Sequence, residues 1–356
     1  MVDRGRQVSE LRERIAGLDQ EIRERLEQRA RLSHEIRGLH EAEPATDLSD
    51  REWLEKIVAS STGDMPEESL RAIFREIRAA GRAIEHPVRV AVVGPEGSFS
   101  HQSTLEVFGA TAQLIECGTV ADALNEVSRG RAAYAVFPFE SSAEGIVQPS
   151  LLALAETNLV LVGERFTQAR YHLMSTTNDI GALEKVYMTA AGHAACERFL
   201  EKELTRVGII DVRSPAVAVE LAREAPTNAA IVPERVGTAG GLSIVRENIG
   251  DVPDLQLRYG IAAARPAARS GRDVSCILFS TDESPSALYD VLRHLGERGI
   301  TLRKLQSLPV RGDGIEYLYF AEIGGHASDR SVVTAFEQVK RSVRYFKLLG
   351  SFPAAS

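Results

Sequence analysis

The stretch Val88-Arg89-Val90-Ala91-Val92-Val93-Gly94-Pro95-Glu96-Gly97-Ser98-Phe99-Ser100 joins a β-branched run to a glycine-bearing turn and a serine placed to cap a helix. The apolar run has the length of a buried strand. The glycines let the backbone turn tightly, and Ser98 can accept from amides of the first helical turn. Strand, glycine turn and helix N-terminus together form a generic anion site, although the same pattern also serves as a plain structural turn. Downstream, strand and helix patterns alternate: 112–115, helix 120–129, 133–137, helix 149–156 and 159–162. The alternation resumes at 185–188, helix 193–204, 208–212, helix 216–225 and 229–232. Such alternation predicts an α/β fold with a largely parallel sheet. Phe137-Pro138-Phe139-Glu140-Ser141-Ser142-Ala143-Glu144-Gly145 crowds small polar residues at the end of a strand, where open α/β sheets bind ligands.

Residues 1–86 have a different texture. Leu11, Ile15, Leu18, Ile22, Leu26, Leu32, Ile36 and Leu39 recur mostly in steps of three and four, which predicts one long amphipathic helix ended by Glu43-Pro44. Ser49 with Glu52 reads as a capping box for a second helix through about Ser60. A third helix runs from Pro66 to about Ile84. Three helices cannot bury so long a stripe, so a homodimer or higher homo-oligomer is expected. On the first helix Arg12 and Arg29 lie about 100° apart, whereas Arg29 and His40 differ by about 20° and share a stripe. Arginines here suit a dicarboxylate pocket, with a solvated helix face as the plain alternative. At the other end, 265–271 reads as a linker. It is followed by 275–280, helix 286–298, 301–309, 317–322, helix 331–343 and 345–349, a βαββαβ order of ferredoxin-like type.

Composition bounds the function. The 356 residues are 44% apolar and 26% charged, with a formal net charge of −8. That balance argues against nucleic-acid binding. Cys117, Cys196 and Cys276 lie far apart and suit a reducing, cytoplasmic setting. No apolar run approaches the roughly 20 residues of a membrane span, and the charged N-terminus does not read as a signal peptide. No metal and no cofactor is expected.

LRERIAGLDQEI (11–22) followed by Arg29 resembles the first helix of all-helical chorismate mutases. GPEGSFS (94–100) and PFESSAEG (138–145) resemble two motifs of prephenate dehydratases. The C-terminal region, closing on KLLGSFP (347–353), resembles an ACT regulatory domain. The order is that of the bifunctional P-protein family of phenylalanine biosynthesis. The resemblance implies a multidomain fold: an all-α chorismate-mutase-like module (1–86), a two-lobed α/β prephenate-dehydratase-like domain (87–264) and a ferredoxin-like α+β ACT domain (272–353). It implies chorismate and prephenate as substrates, turned toward phenylpyruvate, and an aromatic amino acid as effector.

By the same resemblance the mutase pocket takes Arg12, reaching into a partner subunit, with Arg29, His40 and Glu85. His40 stands where the family has lysine and replaces it only if protonated, which nearby carboxylates favour. Arg51-Glu52 or Ser49-Asp50 fills the helix-2 positions. The dehydratase pocket takes Gly97, Ser98, Ser100, Glu140, Ser141, Ser142, Gly145, Thr189 and the carboxylate-holding Arg258. The effector site takes Ser286, Ala287, Leu288, Gln306 and Ser307. Several positions depart from the family. Its Thr-Arg-Phe reads Leu257-Arg258-Tyr259, its Ser-His-x-Gln reads Thr189-Ala190-Ala191-Gly192, and its Asn is Ser141. Leu257 can neither donate nor accept a proton, and departing hydroxide needs a donor. A neighbouring hydroxyl supplies it, or the pocket decarboxylates without aromatising, or the chain only binds an aromatic metabolite as a regulatory paralogue. In the plain alternative Leu257 packs the cleft wall and Arg258 makes a surface ion pair. Ser286 and Leu308, in place of the effector motifs' glycine and arginine, predict a poor response to phenylalanine.

Overall fold

A computed structural model describes residues 2–39, 51–85, 88–311 and 315–354. It divides into two compact units: the N-terminal helices with the 108–113 turn, and the remainder from Arg89 onward. The mutase position His40 and the capping Ser49 lie outside the described residues.

In the first unit, α1 (Val2–Leu39) is one continuous helix, followed by α2 (Arg51–Ala59) and α3 (Glu67–Glu85). The expected stripe on α1 is bare: Leu11, Ile15, Leu18, Ile22 and Leu32 are each more than half exposed. α2 packs on α3 through Trp53 and Phe74, whose rings meet edge-on at 5.9 Å, and the Arg78 guanidinium lies 5.0 Å over Trp53. Gly109 abuts Ala79 with no space for a Cβ, and the Ala110 N–H donates to Glu76, which attaches the 108–113 turn to α3.

The second unit begins β1 (Arg89–Val93), α4 (Phe99–Phe108), β2 (Gln113–Cys117), α5 (Val120–Ser128), β3 (Tyr134–Ser141), β4 (Gly145–Ile146), α6 (Gln148–Ala155) and β5 (Val160–Gln168). A second lobe follows: β6 (His172–Ser175), β7 (Lys185–Met188), α7 (Ala190–Ala195), α8 (Glu197–Glu203), β8 (Gly208–Asp211), α9 (Pro215–Arg223), β9 (Asn228–Val232), α10 (Glu234–Ala239) and β10 (Ser243–Arg246). The chain returns to the first lobe in β11 (Gln256–Ala263). It then forms β12 (Asp273–Ser280), α11 (Ala287–Gly296), β13 (Leu302–Arg311), β14 (Ile315–Gly324), α12 (Arg330–Ser342) and β15 (Tyr345–Pro353).

The sheets are mixed, not largely parallel. β1 and β3 are parallel, but β11 inserts antiparallel between β3 and β5. In the second lobe β7 is parallel to β8 and β9, while β6 runs antiparallel to both its neighbours, β9 and β10. The cause is the two-lobed path: a chain that leaves at the end of β5 and comes back at that same end must run β11 in the opposite direction, with Gln256 paired to Gln168. The expected helix 193–204 is also two helices. Thr189 caps α7 by accepting from the Gly192 N–H, and the wholly buried Cys196 breaks the run at φ −127°.

The C-terminal strands stand in the order β13-β14-β12-β15, the ferredoxin-like order, and join the first lobe's sheet where β15 meets β5. Its helices pack on one face over Ile277, Phe279, Val291, Leu295, Ala335 and Val339. The junction is a single parallel pairing of Gly350 with Leu161. A Cβ at 350 would strike the Leu161 backbone. Gly350→Ala is therefore expected to cost about 1–3 kcal/mol of stability in denaturant unfolding, while Gly299→Ala, in open space at a positive φ, costs less.

Candidate functional site

The first unit brings Arg29 and Glu85 to one face. Arg29 donates to the Ile77 carbonyl at 2.9 Å and passes over Gly81, where a Cβ would collide with its guanidinium. One turn later the buried Ser33 hydroxyl donates to Glu85 at 2.8 Å. Arg12 is exposed, and 17 residues earlier it lies about 25 Å up the helix. An intrasubunit pocket therefore has Arg29 and Glu85 but not Arg12.

In the second unit, topology assembles one end of a sheet. β1 and β3 are parallel, so Gly94–Ser98 and Ser141–Gly145 emerge together; antiparallel β11 begins there, and β5 ends there. Gly94 and Gly97 turn at φ +126° and +80°. Ser98 Oγ accepts from the His101 N–H at 3.3 Å and so caps α4, as its position predicts. The chain crosses between lobes at the same end, where Phe99 meets Tyr171 edge-on at 5.1 Å. Gly97 faces Val236 and Pro215 of the second lobe at distances that leave a Cβ little room, and Gly192 faces Tyr171 and Thr189. The glycine turn, the first turn of α9 and, through Tyr171, the capped start of α7 thus converge between the lobes. Helix N-termini turned toward one space favour an anion. Burial raises the Tyr171 pKa, so its phenol stays protonated, and burial lowers that of His101.

The polar residues separate into two sets. Ser142 Oγ accepts from the Gln256 N–H at 3.0 Å and Ser141 Oγ from the Ala143 N–H at 3.2 Å, which shapes the 141–145 loop. Ser100 is buried and donates to the Val93 carbonyl at 2.6 Å, so its role is to hold the turn. Leu257 stands between Ser141 on β3 and Thr167 on β5. Directly paired residues share a sheet face, so Leu257, Ser141 and Thr167 point the same way. Thr167 Oγ1 meets Ser103 Oγ of α4 at 2.6 Å. This hydroxyl pair, beside the family's threonine position, was not singled out from sequence; the alternation of β5 would have placed it had that strand been read through Gln168.

Arg258 faces the other way, and the structure corrects the surface-ion-pair alternative for it. The ion pairs it makes are buried, and each guanidinium nitrogen has a carboxylate partner. Its side chain is 5% exposed; Nε donates to Glu164 at 2.6 Å, Nη1 to Glu140 at 3.0 Å and Nη2 to Glu322 at 2.6 Å. The Phe139 and Phe166 rings flank the guanidinium at 5.5 Å each. Burial opposes the charge, but Glu164 and Glu322 outweigh it and the pKa rises above the ordinary value. Glu140 is likewise committed, its other oxygen accepting from Lys304. In the C-terminal region Ala287 is buried at the start of α11 and Leu288 packs on the core, with Ser286 at the cap position. Gln306 lies on β13 and accepts from the Ile146 N–H at 3.3 Å, while Ser307 is exposed. Among the described residues no group of three metal-ligating side chains is placed to hold a metal, and no helix is long and apolar enough to cross a membrane.

These features define a two-lobed α/β protein whose glycine turn and helix starts meet between the lobes. The prephenate dehydratase family model matches residues 90–267. The bifunctional chorismate mutase/prephenate dehydratase of Aquifex aeolicus is 34% identical over 98% of this chain and 98% of its own. That of Neisseria gonorrhoeae is 32% identical over 97% and 96%. A solved prephenate dehydratase from Arthrobacter aurescens, in complex with L-Phe, superposes with a TM-score of 0.64 at 26% identity, covering 75% of this chain and 90% of that one. The chain belongs to the prephenate dehydratase family, and the two bifunctional relatives match it over 98% and 97% of its length.

Replacing Arg258 by methionine leaves three carboxylates facing one another without their guanidinium. Chemical unfolding is expected to show a loss of about 3–5 kcal/mol, where an exposed pair would cost under about 1 kcal/mol.

Proposed function

We propose that this chain is a bifunctional enzyme of phenylalanine biosynthesis, rearranging chorismate to prephenate in its helical unit and converting prephenate to phenylpyruvate between its α/β lobes. The match over the full length of curated bifunctional relatives supports both activities. The mutase reaction needs no nucleophile: a folded conformer is held by its carboxylates while a donor meets the ether oxygen as charge develops there. Arg29 and Glu85 supply one half-site, and Arg12 the other from a second copy of the chain.

That assignment requires a dimer, which the bare stripe on α1 supports: a contiguous apolar face of this length marks an interaction surface. Placing aspartate at both Leu18 and Ile22 is expected to halve the mass in light scattering and abolish mutase turnover. An unchanged mass would refute a dimer built on α1.

In the dehydratase reaction the substrate loses carboxylate as carbon dioxide and hydroxide as water, and the ring becomes aromatic. Gly97, Ser98, Ser141 and Thr189 line the anion cradle in this reading, and Ser142 and Gly145 shape the loop beside it. The proton for the leaving hydroxide comes from Thr167, its hydroxyl held by Ser103 and set beside Leu257; cross-strand neighbours lie only about 4.5–5.5 Å apart at Cβ. The Thr167–Ser103 pair is the observation that carries dehydration over decarboxylation alone. The carboxylate-holding part is assigned to the backbone amides of the helix starts, not to Arg258. The C-terminal region is read as an ACT-type regulatory domain; the ferredoxin-like strand order and the L-Phe complex of the Arthrobacter relative support an aromatic amino acid as effector.

Phenylpyruvate absorbance after addition of prephenate tests the reading. Thr167→Val is expected to lower kcat by about 10²–10⁴-fold, the range of general acid help, and Leu257→Thr in that background to restore part of it. Carbon dioxide release without aromatic product would favour the decarboxylase alternative. No turnover, with prephenate still raising the melting temperature, would favour a binding role.

A further inference from the structure

Residues of β13 reach the 140–148 segment at three points. Its residues alternate, so Lys304, Gln306 and Leu308 share one face while Leu305 turns to the helical core. Lys304 pairs with Glu140, the residue immediately before Ser141. Gln306 Oε1 accepts from the Ile146 N–H at 3.3 Å. The same amide fills the space beside Gly145, 3.2 Å from where a Cβ would stand, at a backbone φ of +78°. Two residues on, Gln148 Nε2 donates to the Pro309 carbonyl at 2.9 Å. From β14, Glu322 and Phe320 stand opposite Lys304 and Gln306, and reach Arg258 and the Phe139 ring. Both ends of the 141–145 loop are therefore clamped by side chains of the C-terminal region. Main-chain pairing also holds the base of the loop, Glu140 opposite Ile146 and Ser141 opposite Gly145, so the two side chains add to a hairpin already formed.

We infer that Lys304 and Gln306 are positioning residues for the α/β site, holding the Ser141–Gly145 loop in its substrate-facing conformation from the C-terminal domain. The inference rests on the reading of that loop as part of the prephenate pocket. Each acts through the loop, Lys304 by fixing the carboxylate at its start and Gln306 by fixing the amide at its end.

The test compares full-length Gln306→Leu, Gln306→Glu, Lys304→Met and Lys304→Arg with the parent chain, by amide exchange and by prephenate kinetics. Gln306→Leu removes the acceptor, and Gln306→Glu keeps one. Losing one such hydrogen bond corresponds to about a three- to tenfold effect. Exchange in 142–148 is expected to rise by that factor in Gln306→Leu, and KM for prephenate by the same factor with kcat changed less. Lys304→Met is expected to behave alike, the two conservative variants staying near the parent, and exchange in 160–168 staying unchanged throughout. Unchanged exchange in 142–148 in both disruptive variants overturns the inference. So does faster exchange with KM unmoved, which would mean the contacts only stabilise the fold. If the parent chain does not turn over prephenate, the reading of the pocket fails, and protection of 142–148 by prephenate then replaces KM: protection lost in Gln306→Leu and kept in Gln306→Glu supports the inference, and equal protection in both overturns it.

Discussion

The Arg258 guanidinium is the point on which the second unit turns. Three carboxylates from three strands, Glu140, Glu164 and Glu322, are taken out of water around it. Buried carboxylates are tolerable only when an opposite charge and directed hydrogen bonds replace their hydration. Arginine suits the position because its planar fork offers several donors in fixed directions and stays charged when buried. Two of the strands belong to the α/β lobe and one to the C-terminal domain, so the network ties the two together at the base of the 141–145 loop. The aromatic walls Phe139 and Phe166 keep it dry and add attraction of their own.

This arrangement accounts for the continuity of the sheet. A C-terminal domain on a flexible tether would need only the 265–271 linker. Here Gly350 instead lets β15 pair directly with β5, and Phe320 meets Phe139 at 5.7 Å. A displacement on either side of the junction is felt on the other, because close-packed cores and paired strands deform little.

Much of this was legible in the sequence, for identifiable reasons. The 3.6-residue stripe gave α1, because a helix exposing apolar residues keeps its period whether or not a partner is present. Gly94, Gly97 and Ser98 gave the turn and cap, because local backbone chemistry decides them. The alternation of strands and helices gave the α/β class, but not the antiparallel insertion of β11, which depends on where the chain re-enters after a long excursion. The environment of Arg258 was hidden for the same kind of reason: Glu322 is 64 residues away, and no spacing rule connects them. Adjacent residues on a strand face opposite sides, so Leu257 and Arg258 point to opposite faces of the sheet. The period of two contained that fact, and the motif resemblance overrode it. Thr167 went unnoticed because its partner Ser103 is also 64 residues distant and each hydroxyl alone is unremarkable in a sequence.

A double-mutant cycle between Arg258→Met and Glu322→Gln, read by urea unfolding of the full chain, measures the bond between the two domains directly. A buried, shared network predicts that the two substitutions are non-additive by about 1–3 kcal/mol, the double variant being more stable than the sum of the singles implies. Additive effects would mean that the guanidinium and the Glu322 carboxylate act independently, and that the C-terminal domain is not held through Arg258.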